Sequence, residues 1–174
     1  MKDVDLDELR LDGAFVEESK LIEASEMPFR LSPAHWDACT LPVQLQWTTE
    51  KFDAASKGAI PGDLGGVYTF VLLPGSANHP HFGFLCYVGK AEKQSLRDRF
   101  QQYLYEQQRA ESKTRRPKMH RFLKSFPKHL YFCYATVNDA SQISEIEKSL
   151  QDSFIPPINE LFEGKIGKPM LAMP

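Results

Sequence analysis

Apolar residues alternate, cluster and recur along this chain in patterns that divide it into strand-like and helix-like segments. The densest strand signal covers residues 66–90, GVYTFVLLPGSANHPHFGFLCYVGK. It consists of two β-forming runs around a turn-rich connector that holds Pro74, Gly75, Ser76, Asn78 and Pro80. Strand side chains alternate between faces, which puts Tyr68, Phe70 and Leu72 on one side and Val67, Thr69, Val71 and Leu73 on the other. Antiparallel pairing of the two runs brings Tyr68 and Tyr87 to the same side of a hairpin, beside glycines that leave room above the backbone. A third run, HLYFCYATV over residues 129–137, is unbroken enough to predict a central, buried strand.

Helical spacing takes over elsewhere. Ser95 is an N-cap candidate for a helix from Leu96 to about Ala110, in which Leu96, Phe100, Tyr103 and Leu104 recur at i, i+4, i+7 and i+8. Arg99 falls inside that stripe, where a charge needs a partner or a pocket because burying it alone is costly. Arg97 points away, to solvent. Residues 113–128, KTRRPKMHRFLKSFPK, interleave Met119, Phe122, Leu123 and Phe126 with cations and predict a second helix that Pro117 opens and Pro127 ends. Residues 140–154 predict a third, capped by Ser141 and burying Ile143, Ile146, Leu150 and Phe154, with Glu147 at the border of the stripe. Arg99 and Glu147, opposite charges on core-facing helix sides, point to a shared polar site.

The first 65 residues carry weaker signals. Residues 4–11 alternate loosely, and residues 15–24 have helix-like spacing through Val16, Leu21 and Ile22. Pro28, Pro33 and Pro42 break the next segment, where Leu31 and Trp36 are the expected anchors onto the main body. Thr48-Thr49-Glu50 is read as the start of a short helix over residues 50–56 that Gly58, Pro61 and Gly62 stop. The resulting organisation is an acidic extension, 1–65, packing on a core domain, 66–174.

Length and charge sharpen this picture. A chain of 174 residues suits one domain with a real core. Its net charge of −2 conceals an asymmetry: residues 1–65 hold 6 Lys/Arg against 13 Asp/Glu, whereas residues 66–174 hold 15 against 10. The half suited to a polyanion is the half that carries the paired tyrosines. No apolar run approaches the roughly 20 residues of a membrane span. The N-terminal MKDVDLDELRLDG lacks the apolar centre of a signal peptide, so a cytoplasmic, membrane-free protein is expected. Cys39, Cys86 and Cys133, odd in number and far apart in apolar surroundings, read as reduced thiols.

Gly66-Val67-Tyr68 and Tyr87-Val88-Gly89, followed in order by Ser95-Leu96-Arg97-Asp98-Arg99-Phe100, by Glu147-Lys148-Ser149-Leu150 and by Asn159, resemble the GIY-YIG nuclease family over residues 66–159. The family is named for two such tripeptides and follows them with a helix bearing arginine and a later helix bearing glutamate, then asparagine. Valine stands for isoleucine in both tripeptides, and the connector is longer and richer in proline than a compact hairpin needs. The resemblance implies an α/β fold of the α+β type, with a small three-stranded, mainly antiparallel sheet flanked by helices.

It also implies a metal-dependent DNA endonuclease, of restriction or phage-defence type. The alternatives are a structure-specific repair nuclease and a non-catalytic nucleic-acid-binding module on the same fold. By the same resemblance Glu147 holds Mg²⁺ or Mn²⁺, Arg99 and Tyr103 contact phosphate or leaving group, and Tyr87 binds phosphate or supports Tyr68. Tyr68 serves the nucleophilic water. Lys90, next to Gly89, supplies positive charge or activates water itself, so whether Tyr68 or Lys90 is the general base stays open at the level of sequence. A single carboxylate is chemically adequate for Mg²⁺, which keeps several waters. Asn159 pins backbone near the site. Arg115, Arg116, Lys118, His120, Arg121 and Lys124 form the expected DNA-backbone contact, and His79 and His81 are read as connector residues. One such site cuts one strand, so a homodimer on DNA is the expected route to a double-strand break.

Overall fold

The fold is known from a computed structural model that describes residues 27–75 and 83–159. The patterns expected at residues 4–11 and 15–24, and the connector histidines, lie outside the described residues. Four strands, β1 (Thr48–Lys51), β2 (Gly66–Leu72), β3 (Phe84–Ala91) and β4 (Leu130–Thr136), form one antiparallel sheet in the order β1-β4-β2-β3. Around it lie α1 (Pro33–Asp37), α2 (Leu96–Gln108), α3 (Pro117–Ser125) and α4 (Ala140–Phe154), with 3-10 turns at Ala55–Ala59 and Glu111–Lys113. The class is mixed α/β with an antiparallel sheet flanked by helices, and the sheet has four strands where three were expected. The additional strand is Thr48–Lys51, read from sequence as the start of a helix. Its backbone pairs instead with Tyr131–Tyr134 of β4, which makes β4 central.

Alternation along the strands builds two cores. Tyr68, Phe70 and Leu72 of β2 pack with Leu96, Phe100, Tyr103 and Leu104 of α2 and with Met119, Phe122 and Leu123 of α3. Val67, Val88 and Ala135 face the other way, onto Ile143, Ile146 and Leu150 of α4. Helices α2 and α4 therefore cover opposite faces of the sheet. Residues before β2 enter both cores, Phe52 and Ile60 on the α2 side and Leu41, Val43 and Leu45 on the α4 side. The anchors expected from sequence are not those used: Leu31 is 75% exposed and Trp36 41%. Phe154, expected inside, is also largely exposed. Among the described residues no helix is long and apolar enough to cross a membrane, and all three cysteines are free thiols.

Helix starts follow local chemistry. The Ser95 hydroxyl accepts from the Asp98 N–H at 3.1 Å, capping α2 as its sequence position requires. At α4 the cap is Asp139, whose carboxylate accepts from the Ser141 N–H, rather than Ser141 itself. Arg97 is not solvated either. Its Nε donates to the Ile60 carbonyl at 2.8 Å, tying α2 to the segment before β2.

At the open edge of the sheet, β3 is finished by the chain that leaves α4. Ile155 adopts a left-handed conformation (φ 44°) that ends the helix and turns residues 156–159 alongside β3. Ile158 N–H donates to the Cys86 carbonyl. The Asn159 amide meets both backbone groups of Val88, with Oδ1 accepting at 2.9 Å and Nδ2 donating at 2.8 Å. This side chain does the work of a fifth strand at one residue, blunting the edge. Removing it leaves the buried Val88 N–H unpaired and its C=O with only the longer bond from Gln151 Nε2 at 3.4 Å, a loss of about 1–3 kcal/mol for each buried group affected. We expect Asn159→Ala to lose about 2–4 kcal/mol, read in urea as a lower midpoint at unchanged m-value.

Candidate phosphate-handling site at the sheet edge

Tyr68 pairs with Gly89 across the β2–β3 ladder, and Phe70 pairs with Tyr87, so both tyrosines share the α2 face. A Cβ at position 89 would lie 2.5 Å from the Tyr68 hydroxyl and 2.8 Å from the Tyr87 ring. Glycine is what lets the Tyr68 ring cross β3. The Tyr68 hydroxyl then lies 2.9 Å from that of Tyr103 on α2, which donates to the Tyr87 hydroxyl at 3.3 Å. Each phenol has one proton to give. With the Tyr103 proton spent on Tyr87, Tyr68 donates to Tyr103, and Tyr87 keeps its own proton for a ligand.

Electrostatics fix what these hydroxyls can do. Tyr68 is 0% exposed, stacked on Phe132 with ring centroids 4.9 Å apart. Burial, with Tyr103 and Tyr87 adding to it, raises its pKa well above the ordinary phenol value, and Arg99 only partly opposes this. Tyr87 is raised for the same reason, desolvation first, against the lowering effect of Arg116. Both are neutral phenols at physiological pH. Tyr68 is therefore a neutral hydrogen-bond donor inside the core, with its hydroxyl against that of Tyr103. The Tyr103 hydroxyl connects it to Tyr87.

Two guanidiniums close on this group. Arg99, in the α2 stripe, is half-buried, with its Nε 3.4 Å from the Lys90 carbonyl and its Nη1 donating to Gln102 Oε1 at 3.0 Å. Arg116 arrives from the residue before α3 and donates to Tyr103 at 3.4 Å and to Tyr87 at 3.2 Å. Burial disfavours the charge on Arg99, yet the surrounding tyrosines outweigh it and its pKa is raised. A cavity of about 260 Å³ opens here, lined by Arg99, Gln102, Tyr103, Tyr105, Glu106, Arg109 and Arg116. Three arginines around one such cavity suit an oxyanion.

Lys90 and Glu147 meet on the other side of β3. Lys90 pairs with Val67 and so faces α4, where its Nζ lies 3.0 Å from a Glu147 carboxylate oxygen and 2.9 Å from the Ser144 hydroxyl. Ser144 in turn donates to Glu92 at 3.2 Å. Arg99 and Glu147 thus belong to helices on opposite faces, and Lys90 is the link between them: its carbonyl accepts from Arg99 and its ammonium pairs with Glu147. The shared polar site expected of Arg99 and Glu147 is therefore split: the cavity beside Arg99 is lined by neither Lys90 nor Glu147. Glu147 is buried, and among the described residues there is no group of three or more His, Cys, Asp or Glu side chains placed to hold a metal ion. A single carboxylate beside serine and lysine fits a Mg²⁺-like ion that keeps most of its water, and fits no ion that demands several protein ligands.

The basic run divides when placed in three dimensions. Arg115 and Lys124 are exposed, and Arg116 belongs to the tyrosine cluster. Arg121 is ion-paired with Glu111 at 2.6 Å. Lys118 and His120, expected at the DNA backbone, are buried, with His120 Nδ1 2.7 Å from the Glu106 carbonyl. His120 belongs to the seam between α2 and α3, and a helix of nine residues with Met119, Phe122 and Leu123 inward has little surface left for a row of basic side chains. Sequence reasoning did not single out Gln102, Arg109, Ser144 or Glu92, since none of them stands out in the hydrophobic pattern.

No family model, no curated protein and no solved structure matches the chain. The site therefore stands on its own geometry. Because Tyr68 and Tyr87 hold their protons more tightly in the folded chain than in the unfolded one, where a phenol titrates near pH 10, their contribution to stability is complete below about pH 10 and is lost as pH rises toward the raised folded values. Thermal unfolding should weaken above about pH 10. Tyr68→Phe should flatten that decline, as read by melting curves across the alkaline range, and a slope identical to wild type would contradict the protonation assigned here.

Proposed function

We propose that this protein is a metal-dependent DNA endonuclease whose site straddles the edge strand β3. The observation that carries the reading is the meeting, around one residue, of an oxyanion-suited side and a carboxylate side. Arg99 and the tyrosine hydroxyls lie on the α2 face, and Glu147 lies on the α4 face next to the Lys90 ammonium. The ordered motif residues Tyr68, Tyr87, Arg99, Glu147 and Asn159 support it, being the set that resembles the GIY-YIG nucleases.

In this reading Glu147 holds Mg²⁺ or Mn²⁺, which when bound supplies an acidified water and neutralises charge on the phosphate. The chain's own residues do the rest. Arg99 binds non-bridging phosphate oxygens as negative charge builds on them. Tyr87 donates its free proton to the same group, held in place by Tyr103 and Tyr68. Lys90 contributes positive charge between the two halves and, with Tyr68 a buried phenol, is the residue left beside the attacking water. Exposed Arg115 and Lys124 extend the contact along the backbone of DNA.

The Lys90–Glu147 ion pair favours one rival, a nucleic-acid-binding module in which that pair is structural. Glu147→Gln separates them. A nuclease should lose cleavage of supercoiled plasmid in Mg²⁺ by orders of magnitude while its folding and DNA affinity stay near wild type, whereas a binding module cuts nothing in either form. Arg99→Ala should reduce the cleavage rate about 10² to 10³-fold, the usual cost of one charge-stabilising donor. Branched substrates run beside plasmid distinguish a repair enzyme from one of restriction or defence type. A homodimer on DNA is the arrangement we propose for double-strand cleavage. Sedimentation with and without duplex should show two protomers per duplex, and a persistent monomer with nicks accumulating before linear product would rule it out.

A further inference from the structure

Arg116 is built into the site differently from its neighbours in the basic run. Its guanidinium lies over the rings of Tyr87 and Tyr103, 5.9 and 5.6 Å from their centroids, while donating to both hydroxyls. Its backbone is fixed as well, because the Arg116 N–H donates to the Thr114 hydroxyl at 3.0 Å and that hydroxyl donates to the Glu106 carboxylate of α2. The short crossing from α2 to α3 is thus pinned so that residue 116 returns to the tyrosines.

Arg99 and Arg116 line the same cavity, and among the described residues neither is paired with a carboxylate. Arg99 is bound to a carbonyl and an amide oxygen, Arg116 to two phenols. Glu106, the carboxylate lining that cavity, is engaged by Arg109 at 3.6 Å and by Thr114. Two cations held close with neutral partners repel one another, and the arrangement is stabilised when an anion enters between them. Planar forks from two directions match the two non-bridging oxygens of a phosphodiester.

We infer that Arg116 is a second substrate-binding arginine of the reacting centre, clamping a phosphodiester oxyanion jointly with Arg99, rather than a flanking contact of a basic helix. The inference rests on the nuclease reading for the identity of the phosphate, but the clamp itself is a binding property that needs no metal. The two guanidiniums approach from α2 and from the start of α3, so the phosphate ties those helices together.

The test is binding of a fluorescent 12-mer oligothymidylate in EDTA across a salt series, for wild type, Arg116→Gln, Arg99→Gln and, as an exposed neighbour, Arg115→Gln. Each lost phosphate contact on a single strand reduces the slope of log affinity against log salt by about 0.7. Arg116→Gln and Arg99→Gln should each show that loss with roughly tenfold or greater weakening at low salt, and inorganic phosphate should compete for wild type more effectively than for either variant. A wild-type slope for Arg116→Gln overturns the clamp, because a residue that only orders Tyr87 and Tyr103 leaves the count of phosphate contacts unchanged. If Arg116→Gln does not fold, Arg116→Lys decides. Retained slope with weakened affinity supports a fork-specific contact, and wild-type behaviour in both measures overturns it. Plasmid cleavage in Mg²⁺ is scored separately. A slope loss in a protein that cuts no DNA keeps the clamp and removes the nuclease reading, and cleavage with an unchanged slope does the reverse.

Discussion

The passage of the Tyr68 ring across Gly89 is the contact on which the site depends. Without a side chain at 89, a phenol from β2 reaches over β3 to the hydroxyl of Tyr103, and that hydroxyl positions Tyr87. A methyl at this place would sit within 2.6 Å of the Tyr68 ring carbon that bears the hydroxyl, a distance no relaxation of rigid aromatic packing accommodates cheaply. The tyrosines are neutral because the same passage buries them. The hydroxyls and guanidiniums gathered here are hydrogen-bond donors.

An edge strand makes the second half of the arrangement possible. In the middle of the sheet, helices on opposite faces are separated by two layers of side chains and have no polar route between them. At β3 the sheet ends, so Lys90 presents its carbonyl to Arg99 on one side and its ammonium to Glu147 on the other. The same exposure that leaves an edge strand prone to pairing with another chain is managed two residues away, where Asn159 occupies the backbone of Val88. Closing the edge at Val88 and using it at Lys90 are two consequences of one topology.

Much of this was legible in the pattern of residues and some was not, for physical reasons. The α2 stripe of Leu96, Phe100, Tyr103 and Leu104 is buried as its spacing demands, and the Ser95 cap and central β4 follow from local signals. Strand β1 was misread because four residues, TTEK, carry no hydrophobic period. Their conformation is set by a ladder to a strand some eighty positions away. Leu31 and Trp36 looked like anchors because large apolar side chains usually are, whereas the segment anchors through Leu41, Val43, Leu45, Phe52 and Ile60. Among the candidate site residues, sidedness was not readable. That Arg99 and Glu147 lie on opposite faces follows from strand order, which no local period encodes.

The basic run shows why charge in a sequence is a poor guide to charge on a surface. Six basic residues between 115 and 124 were candidates for a phosphate track, yet helix geometry spends them in four ways: exposed at Arg115 and Lys124, ion-paired at Arg121, buried at Lys118 and His120, and turned into the tyrosines at Arg116. The last of these is costly on its own, since it brings a second guanidinium into the cavity of Arg99. A fold keeps such an arrangement when the like charges share neutral donors and acceptors that hold them apart from one another, and the phenols of Tyr87 and Tyr103 do this for Arg116 as the Lys90 carbonyl and Gln102 do for Arg99. What remains unsatisfied is charge rather than hydrogen bonding, and charge of that sign in a cavity of that size selects for an anion with oxygens on more than one side.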